Sequence, residues 1–257
     1  MVGAMSSKRG YAFFDLDHTL LPHDTQALFC NYVLQQERWR TLLHVMFVPF
    51  ALLKALRLVS TLRAKRAFMG YLWRMPHRKL QRYAAEFAQH SVLPWTYADV
   101  LSEVERHRNE GRVLVLNTAS PDFYARDIAE ILGFDHCVAT KARLTDPLSW
   151  HPAIPVNNKH DEKIEAMRAE VPGVATLTAD ERNDHCYAYS DSAADLPLLE
   201  FGGNAVLVHP APHLATLGIR REWGLMHPPR PYFSRVGDML SVVRQILGLY
   251  PVAPEQK

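Results

Sequence analysis

The chain has 257 residues, enough for one α/β domain with an insertion or for two small domains. A hydrophobic fraction of 48% excludes a disordered chain, and three widely spaced cysteines (Cys30, Cys137, Cys186) give no metal clip and read as buried thiols of a reducing compartment. Charge is nearly balanced overall, yet from Arg38 to Tyr83 there are eleven basic residues and no acidic one, so a whole-chain charge of +2 leaves −9 for the remainder.

The first ten residues are polar, lack the apolar stretch of a secretory signal, and read as a loose tail. Tyr11–Asp15 is a short aromatic run and predicts a buried strand. From Asp24 to about Pro94 no strand pattern occurs. Apolar residues there recur at helical spacing (Leu80, Tyr83, Ala84, Phe87), with breaks at Pro49 and Pro76. Ala98–Arg108 predicts an amphipathic helix ended by Gly111. Val113–Leu116 predicts a second buried strand, and Asp122–Leu132 a helix stopped by Gly133. Cys137–Thr140, Cys186–Tyr189 and Ala205–Val208 read as further strands, and Asp161–Glu170 as a helix. Met226–Phe233 reads as a rigid Pro-rich connector. Val236–Tyr250 predicts a C-terminal amphipathic helix with Val236, Leu240, Val243 and Leu247 on one face.

Strands alternating with helices imply a parallel sheet covered on both faces. The helical stretch after the first strand interrupts that rhythm and predicts an inserted helical domain. Ligands of open α/β sheets bind beyond the carboxyl ends of the strands, so the strand ends carry the argument.

The first strand delivers Asp15 and Asp17, which an extended chain points to one side while Leu16 turns toward the core. A D-x-D pair serves a turn equally well. The second strand leads to Thr118. Ser120 then reads as a helix N-cap with Pro121 at the first helical position, so Thr118, Ala119 and Ser120 form a candidate anion site. An ordinary capped helix fits the same residues. Lys159 and Lys163 offer a cation, although exposure is the usual state of lysine. The strand before Asp191 delivers that carboxylate and, four residues on, Asp195.

Asp15-Leu16-Asp17-His18-Thr19, the apolar strand reaching Thr118, the lysine, and Asp191-Ser192-Ala193-Ala194-Asp195 occur in this order over roughly residues 11–210. The combination resembles the haloacid dehalogenase superfamily of phosphotransferases. His18 stands where many members carry Gly. The resemblance implies a Rossmann-like core of parallel sheet and flanking helices (1–22 and 96–257) and an all-helical cap inserted at 23–95. It implies Asp15 as nucleophile forming an aspartyl-phosphate, and Asp17 as general acid–base. It also implies Mg²⁺ held by Asp15, Asp191 and the Asp17 carbonyl, which suits an ion that takes few carboxylates plus water and substrate phosphate. Thr118, Ala119, Ser120 and the lysine would hold phosphoryl oxygens, with Thr19 and Asp195 in support. Of the two lysines, Lys163-Ile164 matches the pattern at the first turn of the third-motif helix.

A helical cap of this size resembles the phosphoserine-phosphatase-like branch. "FFDLDHTLLPHD", the apolar–basic stretch from Leu42 to Trp73, "HDEKI" and "YSDSAADLPLL" resemble its phosphatidylglycerophosphatase C group. Leu42–Leu53 is almost wholly apolar but short of a membrane span. It reads either as a buried cap helix or as an interfacial helix or hairpin beside a one-sign basic stretch, with Trp39 and Trp73 available at headgroup depth. The expected function is hydrolysis of a lipid phosphomonoester such as phosphatidylglycerophosphate. The site would be cytoplasmic, on the inner face of the membrane, with the cap touching anionic lipid through residues such as Arg63, Lys65 and Arg66. Two alternatives stand beside it. One is a soluble phosphomonoester such as phosphoserine or histidinol phosphate, whose ammonium Asp24, Glu37 or Glu86 could meet. The other is a basic nucleic-acid-binding module, which leaves the four strand-end motifs unexplained.

Overall fold

The structure, a computed structural model, describes residues 10–232 and 234–254. The expected tail falls outside them except for Gly10. That residue is buried at the base of the sheet, where its carbonyl accepts from Val113 N–H at 2.9 Å.

Six strands form one parallel sheet: β1 (Tyr11–Phe14), β2 (Val113–Pro121), β3 (His136–Thr140), β4 (Tyr187–Ser190), β5 (Asn204–Val208) and β6 (Gly224–Met226), in the order β3-β2-β1-β4-β5-β6. β1 is central, and all four of its residues are buried, as a strand covered on both faces requires. Alternation sends Phe13 and Phe14 to opposite faces and into two separate hydrophobic clusters. Phe13 joins Val115, Met167 and Leu207. Phe14 stacks on Tyr189 with centroids 4.2 Å apart. Each such side chain, taken fully out of water, contributes about 1.5–3 kcal/mol.

The chain winds outward from β1 through β2 to β3, then returns to β4 on the other side of β1. The loops after β1 and β4 therefore part, and a crevice opens between them, the place where open α/β sheets take ligands. Asp15 and Asp17 follow β1, and Asp191 follows β4.

The segment between β1 and β2 contains no strand among the described residues. Its helices include Thr25–Gln36, Val48–Ala55, Thr61–Phe68 and His77–Phe87. Asp24 caps the first, its Oδ1 accepting from Gln26 and Ala27 N–H groups at 2.8 and 3.0 Å. Pro49 lies in the first turn of the second, and Pro76 precedes the fourth. Leu80, Tyr83, Ala84 and Phe87 are buried on one face, in the same cluster as Phe14 and Leu116. The hydrophobic core thus runs without a break from one face of the sheet into this helical segment.

Several expectations need correction. β2 runs to Pro121 rather than ending at Leu116, and the next helix, Asp122–Ile131, has Pro121 at its cap position with no side-chain cap bond. Ser120 is therefore no N-cap; its hydroxyl is bonded elsewhere, as described below. β6 at Gly224–Met226 falls where a connector was expected to begin. Cys30 and Cys186 are buried, but Cys137 only half so. Leu42–Leu53 is not a buried helix. It is a 3₁₀ stretch, Arg38–Met46, followed by Val48–Ala55, and Leu42 and Val45 are 73% and 70% exposed. Trp73 packs edge-on against Trp150 at 5.4 Å, which leaves only Trp39 of the two tryptophans exposed. The C-terminal helix, Arg235–Ile246, turns its apolar face to solvent: Val236, Leu240, Val243 and Leu247 are all exposed. Its inner side carries Ser241 and Gln245, and Gly248 (φ +69°) closes it against Leu34, where a Cβ would meet the leucine at 2.8 Å. Among the described residues, no helix is long and apolar enough to cross a membrane.

Candidate active site

The crevice at the ends of β1 and β4 is a cavity of about 470 Å³. Asp15, Asp17, Ala119, Ser120, Lys163, Asp191 and Asp195 all line it. Its floor is an ion network. Lys163 Nζ donates to Asp15 Oδ1 at 2.6 Å and to Asp195 Oδ2 at 2.8 Å. The lysine is only 1% exposed. It stands in the first turn of the helix Asp161–Glu170, whose start also carries Asp161 and Glu162, acidic residues suited to the positive end of the helix dipole. Burial works against the charge on Lys163, and the two carboxylates more than offset it, so its pKa is held above the ordinary range. Lys159 lines the cavity wall, one turn before.

Ser190 Oγ donates to Asp195 Oδ2 at 2.8 Å, and Thr19 Oγ1 donates to Asp15 Oδ2 at 3.4 Å while accepting from Asp191 N–H at 3.1 Å. Thr19 thus ties the two strand ends together. Asp17 has both oxygens engaged: Thr25 N–H donates to Oδ1 at 2.8 Å and Ser120 Oγ to Oδ2 at 2.7 Å. This is where the Ser120 hydroxyl goes instead of capping a helix. Ser120 N–H donates to Thr118 Oγ1 at 3.0 Å. Thr118 is fully buried behind the cavity wall, whereas Ala119 and Ser120 form its surface.

Several site residues escaped the sequence reading. Asn158 donates through Nδ2 to Asn117 Oδ1, the Thr118 carbonyl and the Val138 carbonyl, at 2.8, 2.9 and 3.1 Å, and so holds the end of β2 in shape. Asn117 Nδ2 in turn donates to the Lys163 carbonyl at 3.1 Å. Thr25 exchanges a hydrogen bond with Ser120 Oγ at 2.9 Å. His18 lines the cavity with φ +59°, the left-handed conformation that favours glycine. Lys65 belongs to the basic stretch expected at the surface, yet it reaches into the cavity, donating to the Ala119 carbonyl and to Asn157 Oδ1 at 3.3 Å. Burial lowers its pKa, opposed by Asp17 and Asp24. Arg66 is also tied down, to the Pro152 carbonyl at 2.9 Å. Arg40 is buried and donates to the carbonyls of Tyr71 and Trp73.

The family model for haloacid dehalogenase-like hydrolases matches residues 12–200, which span this whole constellation. The chain belongs to the haloacid dehalogenase-like hydrolase family. Among its relatives, the inhibition of morphological differentiation protein of Streptomyces azureus is 29% identical over 88% of this chain and 81% of its own length. A probable phosphatase of Mycobacterium tuberculosis is 27% identical, covering 91% and 80%. In fold the chain is similar to a phosphoserine phosphatase captured as a phospho-aspartyl intermediate analogue, with a TM-score of 0.55, 15% identity, and coverage of 86% and 94%.

The hydrolase site suits a hard cation by its donors. Among the described residues no three His, Cys, Asp or Glu side chains converge as a ready metal cage. Mg²⁺ needs none, since it keeps several waters and takes one or two carboxylates. Lys163 bridges Asp15 and Asp195, and Asp17, Asp24 and Asp191 line the same cavity, so its five carboxylates outnumber its four lysines, Lys54, Lys65, Lys159 and Lys163. Burial, together with the neighbouring carboxylates, pushes Asp15 well up against the pull of Lys163. Burial likewise pushes Asp191 up to about 6, against the pull of His18 and with Asp195 and Asp17 adding to the rise. A divalent ion would relieve that excess, and the carboxylate oxygens present fit it.

Proposed function

We propose that this hydrolase is a Mg²⁺-dependent phosphatase of phosphomonoesters working through an aspartyl-phosphate on Asp15. The observation that carries the reading is the Asp15 carboxylate, fixed at the sheet's switch point by Lys163 with Asp17 beside it across one cavity. The fold neighbour seen as a phospho-aspartyl analogue supports it. Asp15, Asp191 and the Asp17 carbonyl would hold Mg²⁺, which when bound would neutralise charge between two anions that otherwise repel. Asp15 attacks phosphorus. Asp17 passes a proton to the departing ester oxygen, then takes one from the attacking water. Lys163 neutralises the Asp15 side of the reacting group, and Ala119 and Ser120 offer the surface that faces phosphoryl oxygens. Asp195 and Ser190 keep Lys163 in place, and Thr19 keeps the two strand ends in register. Residues 23–95 form the cap over this core, and Lys65 is its contribution to the anion site.

The substrate class we favour is a lipid phosphomonoester, with phosphatidylglycerophosphate as the leading candidate. Phe47, Lys54, Ala64 and Phe68 line the outer cavity, next to the exposed apolar stretch at 42–58, so a phosphate inside the cavity leaves its alcohol beside an apolar surface. Seven of the eleven basic residues between 38 and 83 are exposed, Arg38, Lys54, Arg57 and Arg63 among them. Each that approaches an anionic bilayer contributes about 1 kcal/mol.

One observation favours a soluble aminated phosphomonoester instead. Asp24 lines the cavity, where it could meet an ammonium. It already caps a helix, while Glu37 is paired with Lys79 at 2.8 Å and Glu86 accepts from Tyr32 at 2.7 Å. A phosphatase screen with Mg²⁺ decides between the two. It compares phosphatidylglycerophosphate in mixed micelles with phosphoserine and histidinol phosphate. Preference for the lipid supports the reading; efficient release only from the soluble esters overturns the substrate class.

A further inference from the structure

The C-terminal helix is amphipathic the wrong way round for a globular core. Val236, Met239, Leu240, Val243 and Leu247 recur at helical spacing and are exposed. The side facing the protein carries Ser241 and Gln245, and Gln245 Nε2 is 3.3 Å from His23 Nδ1. This side packs against the helix Thr25–Gln36, and Gly248 lies close against Leu34. A contiguous exposed apolar stripe of this kind marks an interaction surface.

The stripe adjoins a second one. The 3₁₀ stretch Arg38–Met46 and the C-terminal helix both pack on the helix Thr25–Gln36, where His44 Nε2 lies 3.5 Å from Cys30 Sγ and Gly248 meets Leu34, so the two surfaces flank one helix. Leu42 and Val45 are exposed there, as are Leu52 and Leu56 in and just after the following helix, Val48–Ala55. The exposed charges next to the two stripes are Arg38, Lys54, Arg57, Arg63 and Arg244, and Asp238 is half-buried in the helix's first turn. Pairing two copies through this surface would set basic rims against each other, whereas an anionic bilayer complements both the apolar stripes and the basic rim.

We infer that the C-terminal helix and the stretch 38–58 form one bipartite surface that docks on an anionic lipid bilayer. Neither element spans it; both lie in the interface with their basic residues at headgroup level. The inference deepens the lipid-phosphatase reading by naming the partner that brings substrate to the cavity mouth, and it rests on that reading for its purpose.

The test uses the full chain and vesicles of phosphatidylcholine, with or without phosphatidylglycerol. The unchanged protein should sediment with the anionic vesicles and be released at high salt, since charge screening sets in over about 8 Å at physiological ionic strength. Met239→Gln, Leu240→Gln and Val243→Gln together should weaken that binding by about tenfold or more, or about 1.4 kcal/mol. Leu42→Gln, Val45→Gln and Leu52→Gln together should do the same, and turnover of p-nitrophenyl phosphate should stay within about twofold for both sets. A second readout needs only one change: Leu240→Cys carrying an environment-sensitive fluorophore should shift to the blue on anionic vesicles. Vesicle binding that ignores the C-terminal substitutions, together with no spectral shift, overturns the inference even if the lipid is hydrolysed. A concentration-dependent dimer abolished by the same substitutions, with no vesicle binding, assigns the surface to a second copy and also overturns it. Binding with the predicted losses but no hydrolysis of any lipid phosphate upholds the surface and sinks the substrate reading.

Discussion

Lys163 bridges Asp15 and Asp195 from a helix start, with Nζ 2.6 Å from one carboxylate and 2.8 Å from the other. One ammonium thereby locks the end of β1 to the turn after β4, and the site exists only in the folded chain. Lys163→Met leaves two buried carboxylates without their cation. We expect a loss of about 3–5 kcal/mol of stability, as when one partner of a buried pair is removed. Lys163→Arg should rescue little, because a planar fork does not fill the place of a point charge. Urea midpoints of the three proteins read this directly; unchanged midpoints would remove Lys163 from the network.

Asp17 accepts from both Thr25 N–H and Ser120 Oγ, so it is oriented before any substrate arrives. Asp17→Asn should cost about 10²–10⁴-fold in kcat, the usual contribution of a general acid–base. Ser120→Ala frees one oxygen of Asp17 and should lower kcat more modestly. Steady-state rates on p-nitrophenyl phosphate with Mg²⁺ measure both, and an unimpaired Asp17→Asn would rule out the assigned proton transfer.

Lys65 reaches the cavity wall through the Ala119 carbonyl and Asn157. A charge-assisted hydrogen bond to a phosphoryl oxygen contributes about 1.5–3 kcal/mol, so Lys65→Gln should lower kcat/KM about ten- to hundredfold. Arg63→Gln, on the exposed side of the same helix, should leave that ratio unchanged. Equal rates for Lys65→Gln and the parent protein would return Lys65 to the surface cations.

His107 is fully buried, and Arg112 can only donate to its Nδ1 at 3.1 Å, so that nitrogen is an acceptor and the ring is neutral. Burial first, then Arg106 and Arg112, push its pKa down to about 3. The sign follows: between about 6.5 and 3 the unfolded chain binds a proton there that the folded chain does not, so stability is full above pH 6.5 and falls as pH falls. At pH 5 the loss amounts to about 2 kcal/mol from this residue. His107→Gln should flatten the pH dependence of the urea midpoint between pH 7.5 and 5. A slope identical to that of the parent chain would contradict this.

What the sequence reveals here is what depends on neighbours in the chain. Tyr11–Phe14 is legible because a short run of three aromatics and an alanine, ended by polar residues, has the length and composition of a buried strand, and Asp15 and Asp17 follow from its end. The helix Asp161–Glu170 is legible from its acidic first turn, and with it the position of Lys163. Ser120 is not legible, because Ser-Pro has the local form of a helix start, whereas its hydroxyl bonds to Asp17, 103 residues away. Lys65 is hidden for a similar reason: composition places it in a basic stretch, and only the fold brings it to Ala119. Periodicity showed that the C-terminal helix has an apolar face. It could not show that this face points outward, because the period is the same whichever side packs. Asn158, with three long-range bonds, carries no local signal at all.

The covalent adduct on Asp15 is itself the most direct test of the proposed chemistry. The protein is mixed with substrate and Mg²⁺, quenched within the steady state, and reduced with borohydride, which converts an acyl phosphate of aspartate to homoserine. Peptide mass spectrometry then locates the change. Homoserine is expected at position 15, absent without substrate and absent in Asp15→Asn. Turnover with no reducible adduct at Asp15, or an adduct at another carboxylate such as Asp191, would contradict it.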